Sequence, residues 1–320
     1  MSKYKRLDIS RVKTIKSSDR KTRSEISDSG HPIDPEKSVS QFLDSLPSFL
    51  KAADLLDFAQ RIAGAKIDGN TIIWMMGAHP VKVGLSPLII DLMEERFISH
   101  LAVNGAFMIH DIEMAFFGRT SEDVVEGLGD GSFGMVEETP NMIFEAASDA
   151  KKRGLGLGEG IGIYIEKKSP EYKNQSILRN CYIRDIPVSV HVAIGTDTIS
   201  QHPGFDGGLL GQLTGDDFLI MAESVSGLED GVIINFGSAV ILPEVFLKAL
   251  TAARNVKGKI ENFAAANFDM IQHYRPNLNV VARPVSGSGR GYSFTGHHEI
   301  MMPLLAAAIK YKYKELIERS

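Results

Sequence analysis

The chain has 320 residues, of which 43% are hydrophobic and 23% charged, a composition typical of a soluble α/β domain with a substantial core. Its formal net charge of −5 disfavours a general nucleic-acid binder, and no apolar run approaches the roughly 20 residues that cross a bilayer. The single cysteine, Cys181, excludes an intramolecular disulfide and an all-cysteine zinc site, so we expect a cytoplasmic protein.

The first 30 residues differ in composition from the rest of the chain. They are basic, rich in serine and poor in aliphatic residues, which predicts a flexible basic N-terminal arm over residues 1–30. Residues 31–320 are predicted to form one domain. The arm is either solvated or crosses to a partner subunit.

Helical spacing of apolar residues begins at Ser38, and short apolar strands then alternate with helices. We predict strands over residues 71–77, 99–105, 187–195, 231–237 and 277–285. We predict helices over residues 38–64, 85–97, 107–118, 137–153, 243–255 and 299–313, and a further one that begins at Asp216 or Asp217. This alternation predicts an α/β fold: a single doubly wound, mainly parallel sheet with helices on both faces.

Five predicted turns after strands are rich in glycine and polar residues: 77–84, 104–106, 196–197, 237–239 and 286–299. Ligands of doubly wound sheets bind beyond the carboxyl ends of the strands, where free N–H groups at helix starts favour an anion such as a pyrophosphate. Turn geometry alone explains the glycines of any one turn, but five together favour a nucleotide. The segment 154–162 lacks the dinucleotide fingerprint, and its glycines are predicted to cap the preceding helix and form a mobile loop.

Charged side chains near these turns give the candidates for chemistry. His110, Asp111 and Glu113 begin an otherwise apolar helix, either as its solvated face or as part of a site. Five dispersed histidines have no spacing typical of metal ligands, so no metal site is predicted (His79, His191, His202, His297 and His298). Cys181 stands apart from any base and no G-x-S-x-G motif occurs, which disfavours nucleophilic hydrolysis.

Several segments, in order, resemble deoxyhypusine synthase over roughly residues 70–305. They are IIWMMGAHPVKVGLSPLIIDLMEERFISHLAVNGAFMIHDIE, IPVSVHVAIGTD, INFGSAVILPEVFLKAL and HHEIMMPLL. The resemblance implies a deoxyhypusine-synthase-like, Rossmann-type fold, a homotetramer and the cofactor NAD. It places NAD near Gly77, Ala78, His79, Asn104, Gly105, Asp197, Gly237, Ser238, Thr295, Gly296 and His297.

The catalytic motif of that family is missing. The family transfers a butylamine group through an imine on a lysine in an S-W-G-K motif, and the corresponding stretch here is ARPVSGSGRGYS. No lysine occurs between Lys259 and Lys310, and an arginine guanidinium stays protonated and is no amine nucleophile. Standard deoxyhypusine synthesis is therefore not expected.

The segment GAFMIHDIEMAFFG is also similar to the NAD-binding domain of deoxyhypusine-synthase-like ornithine cyclodeaminases. That similarity implies hydride chemistry on an amine, which needs a base and an acidic residue for the cationic substrate. We expect His110 to be the base, with Asp111 orienting it. Glu113, Asp197 and Glu244 are candidates for holding the substrate.

The leading hypothesis is an NAD-dependent enzyme, a transferase, oxidoreductase or cyclodeaminase, acting on a small amine, polyamine or amino acid. One alternative is a non-catalytic homo-oligomer that senses NAD or a polyamine. Another is a metal-dependent hydrolase. The identity of the substrate and the direction of hydride transfer do not follow from the sequence.

Overall fold

The computed structural model describes residues 2–319, which form two compact units with their boundary between Ala53 and Asp54. In the first unit, residues 2–27 are exposed and include three single 3₁₀ turns: Ile9–Arg11, Ser17–Asp19 and Ile26–Asp28. The first α-helix, α1 (Val39–Ser45), begins with a reciprocal capping box between Ser38 and Gln41. The assignment of residues 1–30 as an arm and 31–320 as one domain stays a prediction.

The helix predicted from Ser38 to residue 64 is two helices, because Pro47 interrupts it. Proline has no N–H for the helical ladder and disfavours helical backbone at the residue before it. Accordingly, α1 ends at Ser45 and α2 spans Leu50–Asp68. Leu43 is buried as predicted, whereas Leu50 is exposed.

The second unit contains a six-stranded sheet in the order β3-β2-β1-β4-β5-β6, with every neighbouring pair parallel. The strands are β1 (Ile72–Met76), β2 (His100–Asn104), β3 (Val188–His191), β4 (Val232–Phe236), β5 (Ala264–Asp269) and β6 (Arg290–Thr295). The doubly wound α/β fold predicted from the sequence is thus confirmed. Moreover, this strand order is the one found in dinucleotide-binding Rossmann folds.

The helices that follow the strands complete the two layers around the sheet. They are α3 (His79–Lys82), α4 (Ser86–Glu94), α5 (Gly105–Phe117), α6 (Val124–Asp130), α7 (Glu138–Arg153), α8 (Leu157–Lys168), α9 (Ile177–Ile183), α10 (Gly207–Ser226), α11 (Ile241–Lys257), the short α12 (Tyr274–Pro276) and α13 (His298–Arg319). No helix in the described part of the chain is long and apolar enough to span a membrane.

Burial of both sheet faces explains why the strands are apolar. On one face, Ile73, Ile233 and Ala265 pack with side chains of α10 and α11. On the other face, Trp74, Phe236, Phe268 and Phe294 form a row of stacked rings with successive centroids 5.5, 4.6 and 4.5 Å apart. Strands buried on both sides are expected to be continuously apolar, as β1 and β4 are.

Two strands were missed and one was predicted in the wrong place. The segment predicted as a strand over 277–285 is mostly a π-helix, Asn277–Ala282. The two strands that were missed are β5, which precedes this π-helix in the chain, and β6, which follows it. β5 begins AAAN and β6 contains Arg290 and Gly291, residue types with low strand propensity. Pairing with β4 and with each other holds these segments extended in spite of that propensity.

Two further predictions were wrong at the level of helices. Gly154 caps the end of α7 as predicted, but the mobile loop expected over 154–162 is instead occupied by the buried first turns of α8. Its glycines allow close helix contacts, since a Cβ on Gly158 would stand 2.7 Å from the Val188 carbonyl oxygen. The helix expected to begin at Asp216 or Asp217 begins at Gly207, with Asp206 as its N-cap.

Candidate functional site

The turns after β1 and β4 meet at the point where the strand order reverses. From β1 the chain continues outward through β2 and β3, and from β4 it continues outward on the other side. Gly77 and Gly237 follow these two strands, and a Cβ on Gly77 would stand 2.5 Å from the carbonyl oxygen of Gly237. Only a residue without a Cβ fits such a close approach, at the position where Rossmann folds bind their ligands.

His298 lies against this pair of turns. A Cβ on Gly237 would stand 2.3 Å from Cε1 of the His298 ring, and the rings of His79 and His298 are 5.3 Å apart between centroids. Burial lowers the pKa of His298, so its ring is neutral at pH 7. Its Nε2 contacts the Phe268 carbonyl oxygen at 3.3 Å, and its buried Nδ1 has no hydrogen-bond partner among the described residues.

A chain of buried amides runs along the same edge of the sheet. Asn235 donates to the Ser238 carbonyl at 3.0 Å and to Oδ1 of Asn267 at 2.7 Å, and Asn267 donates to Gln272 at 2.9 Å. Oδ1 of Asn235 has no hydrogen-bond partner in the part of the chain that the structure describes. An unpaired buried polar atom is costly unless a ligand or water completes it.

These features fit a dinucleotide. Two unpartnered polar atoms, Nδ1 of His298 and Oδ1 of Asn235, lie beside the glycine turn after β4 and could bond a ligand. The predicted cofactor residues all lie at or after the carboxyl ends of strands at this edge: Gly77, Ala78 and His79 after β1, Asn104 and Gly105 at the end of β2, Asp197 after β3, Gly237 and Ser238 after β4, and Thr295, Gly296 and His297 at the end of β6. The turn 286–291 leads into the amino end of β6 and therefore belongs to the opposite edge.

A cavity of about 540 Å³ lies beyond the carboxyl ends of β2 and β3. Its walls come from α5, from the turn that holds Asp197, and from segment 119–137, which follows α5 and includes α6. Lys82, at the end of α3, also lines it, so the cavity adjoins the turn after β1. Nε2 of Gln201 donates a hydrogen bond to the Phe133 carbonyl at 2.7 Å. Nε2 of His202 is 2.7 Å from the Gly134 carbonyl oxygen. These two contacts hold segment 119–137 at the cavity.

Inside the cavity His110 and Glu113 lie one helical turn apart on the same face of α5. Thr120, from segment 119–137, stands between them. Its Oγ1 is 2.5 Å from Nδ1 of His110 and donates to the Glu113 carboxylate, which also accepts from Thr139 at 3.2 Å. Burial alone would raise the pKa of Glu113, but the hydrogen bonds from Thr120 and Thr139 and the nearby His110 ring lower it overall, so Glu113 is ionised. Nδ1 of His110 lies 3.6 Å from Oε2 of Glu113, too far for a direct hydrogen bond.

Asp197 is a further carboxylate of the cavity, whose lining also includes Glu122 and Glu138. It is buried, and its Oδ2 has no hydrogen-bond partner among the residues described. Burial raises the pKa of Asp197 to about 6. The cavity thus places the His110 imidazole, the half-buried Glu113, the buried Asp197 and the exposed cations Lys82 and Arg119 around one volume.

Two of the four predicted catalytic residues lie elsewhere. Asp111 does not orient His110, because successive helix residues point in directions about 100° apart. Its buried carboxylate accepts hydrogen bonds from Ser176 Oγ and from the backbone N–H groups of Ile177 and Leu178, at the start of α9. Glu244 is not in the cavity either; its carboxylate pairs with Lys248 and accepts from Asn279 at 2.7 Å.

Sequence analysis missed four residues of this site. Thr120 gave no signal, since it stands in a turn without a motif. Lys82 lies in the predicted polar turn 77–84 but was not singled out there. Asn235 could have been found as the one polar residue in the apolar strand GVIINF. His298 belongs to the predicted turn 286–299 and was weighed as a metal ligand, but the predicted cofactor residues stop at His297, one position before it.

The strand order and the glycine turns at its reversal define a Rossmann-type α/β protein. No protein-family model matches the chain, and no curated protein is similar to it in sequence. Among solved structures, the ternary complex of AgrE with ornithine and NAD⁺ has a TM-score of 0.52 and 12% identity, covering 84% of this chain and 34% of AgrE. Unliganded AgrE has a TM-score of 0.51 and 13% identity, covering 85% and 34%.

A putative deoxyhypusine synthase from Entamoeba histolytica is also similar, with a TM-score of 0.49 and 10% identity over 87% of this chain and 95% of that protein. The present chain spans about a third of the length of AgrE. At these identities the similarity shows the fold alone.

Proposed function

We propose that the protein binds NAD at the β1/β4 edge and uses it for hydride chemistry on a small amine or amino acid held in the adjoining cavity. The observation that carries the proposal is the position of the His110–Thr120–Glu113 group beside a sheet edge with the dinucleotide-binding strand order. AgrE, whose fold is similar, was crystallised with ornithine and NAD⁺, which is consistent with this ligand class.

The side chains of the cavity suit a ligand that carries both an ammonium and a carboxylate group. Asp197 and Glu113 would attract the ammonium, and the exposed cations Lys82 and Arg119 would attract the carboxylate. When bound, NAD would accept a hydride from the carbon that bears the amine. Nε2 of His110 would take the proton that the substrate nitrogen releases. The Glu113 carboxylate would stabilise the imidazolium that results.

Calorimetry and thermal unfolding with NAD⁺ and with NADH test the cofactor. NAD at a hundred times its Kd is expected to raise the free energy of unfolding by about 2.7 kcal/mol. Absence of both binding and stabilisation would end the proposal. Turnover is then followed by NADH absorbance over a panel of amines and amino acids. His110→Asn is expected to lower the rate by about 100-fold or more, whereas exposed His31→Asn serves as the control.

A second candidate function follows from Lys82. The imine-forming lysine of deoxyhypusine synthases is missing from its usual segment, but Lys82 brings an amine to the cavity from another element. The second candidate is group transfer through an imine on Lys82. Borohydride reduction in the presence of NAD and an amine, followed by peptide mass spectrometry, separates the two. An adduct on Lys82 would favour the second function; its absence, with NADH formed, would favour the first.

A further inference from the structure

The hydrogen bonds around Thr120 fix the direction in which its hydroxyl points. Glu113 is an ionised carboxylate, which accepts hydrogen bonds and donates none. Thr120 has a single hydroxyl hydrogen, and this hydrogen is directed to Glu113. Oγ1 of Thr120 is therefore left as an acceptor toward His110.

The partner of that acceptor is Nδ1 of His110, 2.5 Å away. A neutral imidazole carries one hydrogen, and the hydrogen bond made by one ring nitrogen decides which nitrogen is protonated. With its hydrogen on Nδ1, His110 keeps the lone pair on Nε2. His110 lines the cavity, and no hydrogen bond of its Nε2 is found within the described residues.

We infer that Thr120 is a positioning residue whose hydroxyl holds His110 in the Nδ1–H tautomer and so makes Nε2 the proton-accepting atom of the cavity. This inference deepens the proposed function and rests on it for its catalytic meaning. Thr120 lies outside α5, beyond the left-handed Gly118 that ends this helix. The hydroxyl is thus supplied by segment 119–137 and not by the helix that carries His110 and Glu113.

The tautomer can be measured without cofactor or substrate. The protein has nine histidines, so NMR of ¹⁵N-histidine-labelled full-length chain is compared with His110→Asn to assign the ring signals of His110. Thr120→Val removes the hydroxyl at nearly constant volume, and Thr120→Ser retains it. Thr139→Val is the matched control, because Thr139 bonds Glu113 but not His110.

The wild type, Thr120→Ser and Thr139→Val are expected to show Nδ1–H, whereas Thr120→Val loses this preference. Turnover should fall by about tenfold or more in Thr120→Val, with KM unchanged, and recover in Thr120→Ser. An Nε2–H tautomer in the wild type overturns the inference, even if Thr120→Val fails to fold. An unchanged Nδ1–H tautomer in folded Thr120→Val also overturns it. Failure of the proposed function would appear separately, as absence of NAD binding.

Discussion

The carboxylate of Asp197 lies directly against Gly105, the first residue of α5: a Cβ on residue 105 would stand 2.0 Å from Oδ2 of Asp197. A turn after β3 is thereby packed onto the start of the helix after β2. Asp197, whose buried Oδ2 has no hydrogen-bond partner among the described residues, therefore lines the same cavity as His110.

Gly105→Ala should weaken ligand binding by displacing Asp197. In a helix, alanine is more stable than glycine by about 1 kcal/mol, so any loss of stability comes from the Asp197 contact. We expect Gly105→Ala to be neutral or destabilising in the wild type and stabilising by about 1 kcal/mol in an Asp197→Ala background. Urea unfolding of the four proteins measures this difference. Equal effects in both backgrounds would contradict the contact.

Gly237→Ala should abolish NAD binding. Residue 237 has a φ of +66° and its Cβ would collide with the His298 ring, so the turn and the ring must both move. Gly84→Ala is the control, since Gly84 has a φ of +78° with no atom near its Cβ. Both variants should lose about 1–2 kcal/mol from backbone strain, but only Gly237→Ala should lose NAD in calorimetry. Normal NAD affinity in Gly237→Ala would place the cofactor elsewhere.

Asp111→Asn should affect stability and leave the tautomer of His110 unchanged. The asparagine side chain would turn an N–H group toward one of the three donors that Asp111 bonds at the start of α9. We expect this to lower the free energy of unfolding by about 2 kcal/mol. The carboxylate of Glu244 makes ion pairs at the surface. Glu244→Gln is therefore expected to change the free energy of unfolding by at most about 0.5 kcal/mol. Guanidinium unfolding and the His110 NMR signals are the measurements. A changed tautomer with normal stability would restore the orienting role predicted for Asp111.

Asp217 should make stability fall as the pH rises. Burial raises its pKa from 3.8 to about 7, although the N–H groups of Gly158 and Val190 bond its Oδ2 at 3.0 and 2.7 Å. Its protonated form is favoured in the folded state, so its contribution is complete below pH 3.8 and is lost as the pH rises through about 7.

The comparison is between the wild type and Asp217→Asn, which cannot ionise. From about pH 5 to about pH 8 the wild type should lose about 3 kcal/mol relative to Asp217→Asn, because the unfolded state is ionised and the folded state protonated over about two of those pH units. Asp216→Asn removes the exposed carboxylate next in the chain and is the matched control. Urea unfolding measures the free energies of unfolding of wild type and Asp217→Asn at each pH. If their difference does not change with pH, Asp217 does not titrate in this range.

Local chemistry along the chain was enough to predict the fold class. Strands β1 to β4 lie within predicted segments because burial on both faces demands runs such as TIIWMMG and GVIINFG. Glycine-rich turns after them predicted the edge of the sheet at which the candidate site lies. β5 and β6 escaped prediction because their residues favour strands weakly, and their extended form comes from pairing with neighbours distant in sequence.

The sequence alone determined the alternation of strands and helices and the types of side chain available, because periodicity and turn chemistry act between near neighbours. Only the tertiary structure decided which of those side chains meet. Adjacent helix residues point apart, so His110 faces the cavity while Asp111 anchors α9. Thr120 reaches His110 through the path of segment 119–137, a path set by contacts of Phe133 and Gly134 with residues nearly 70 positions away.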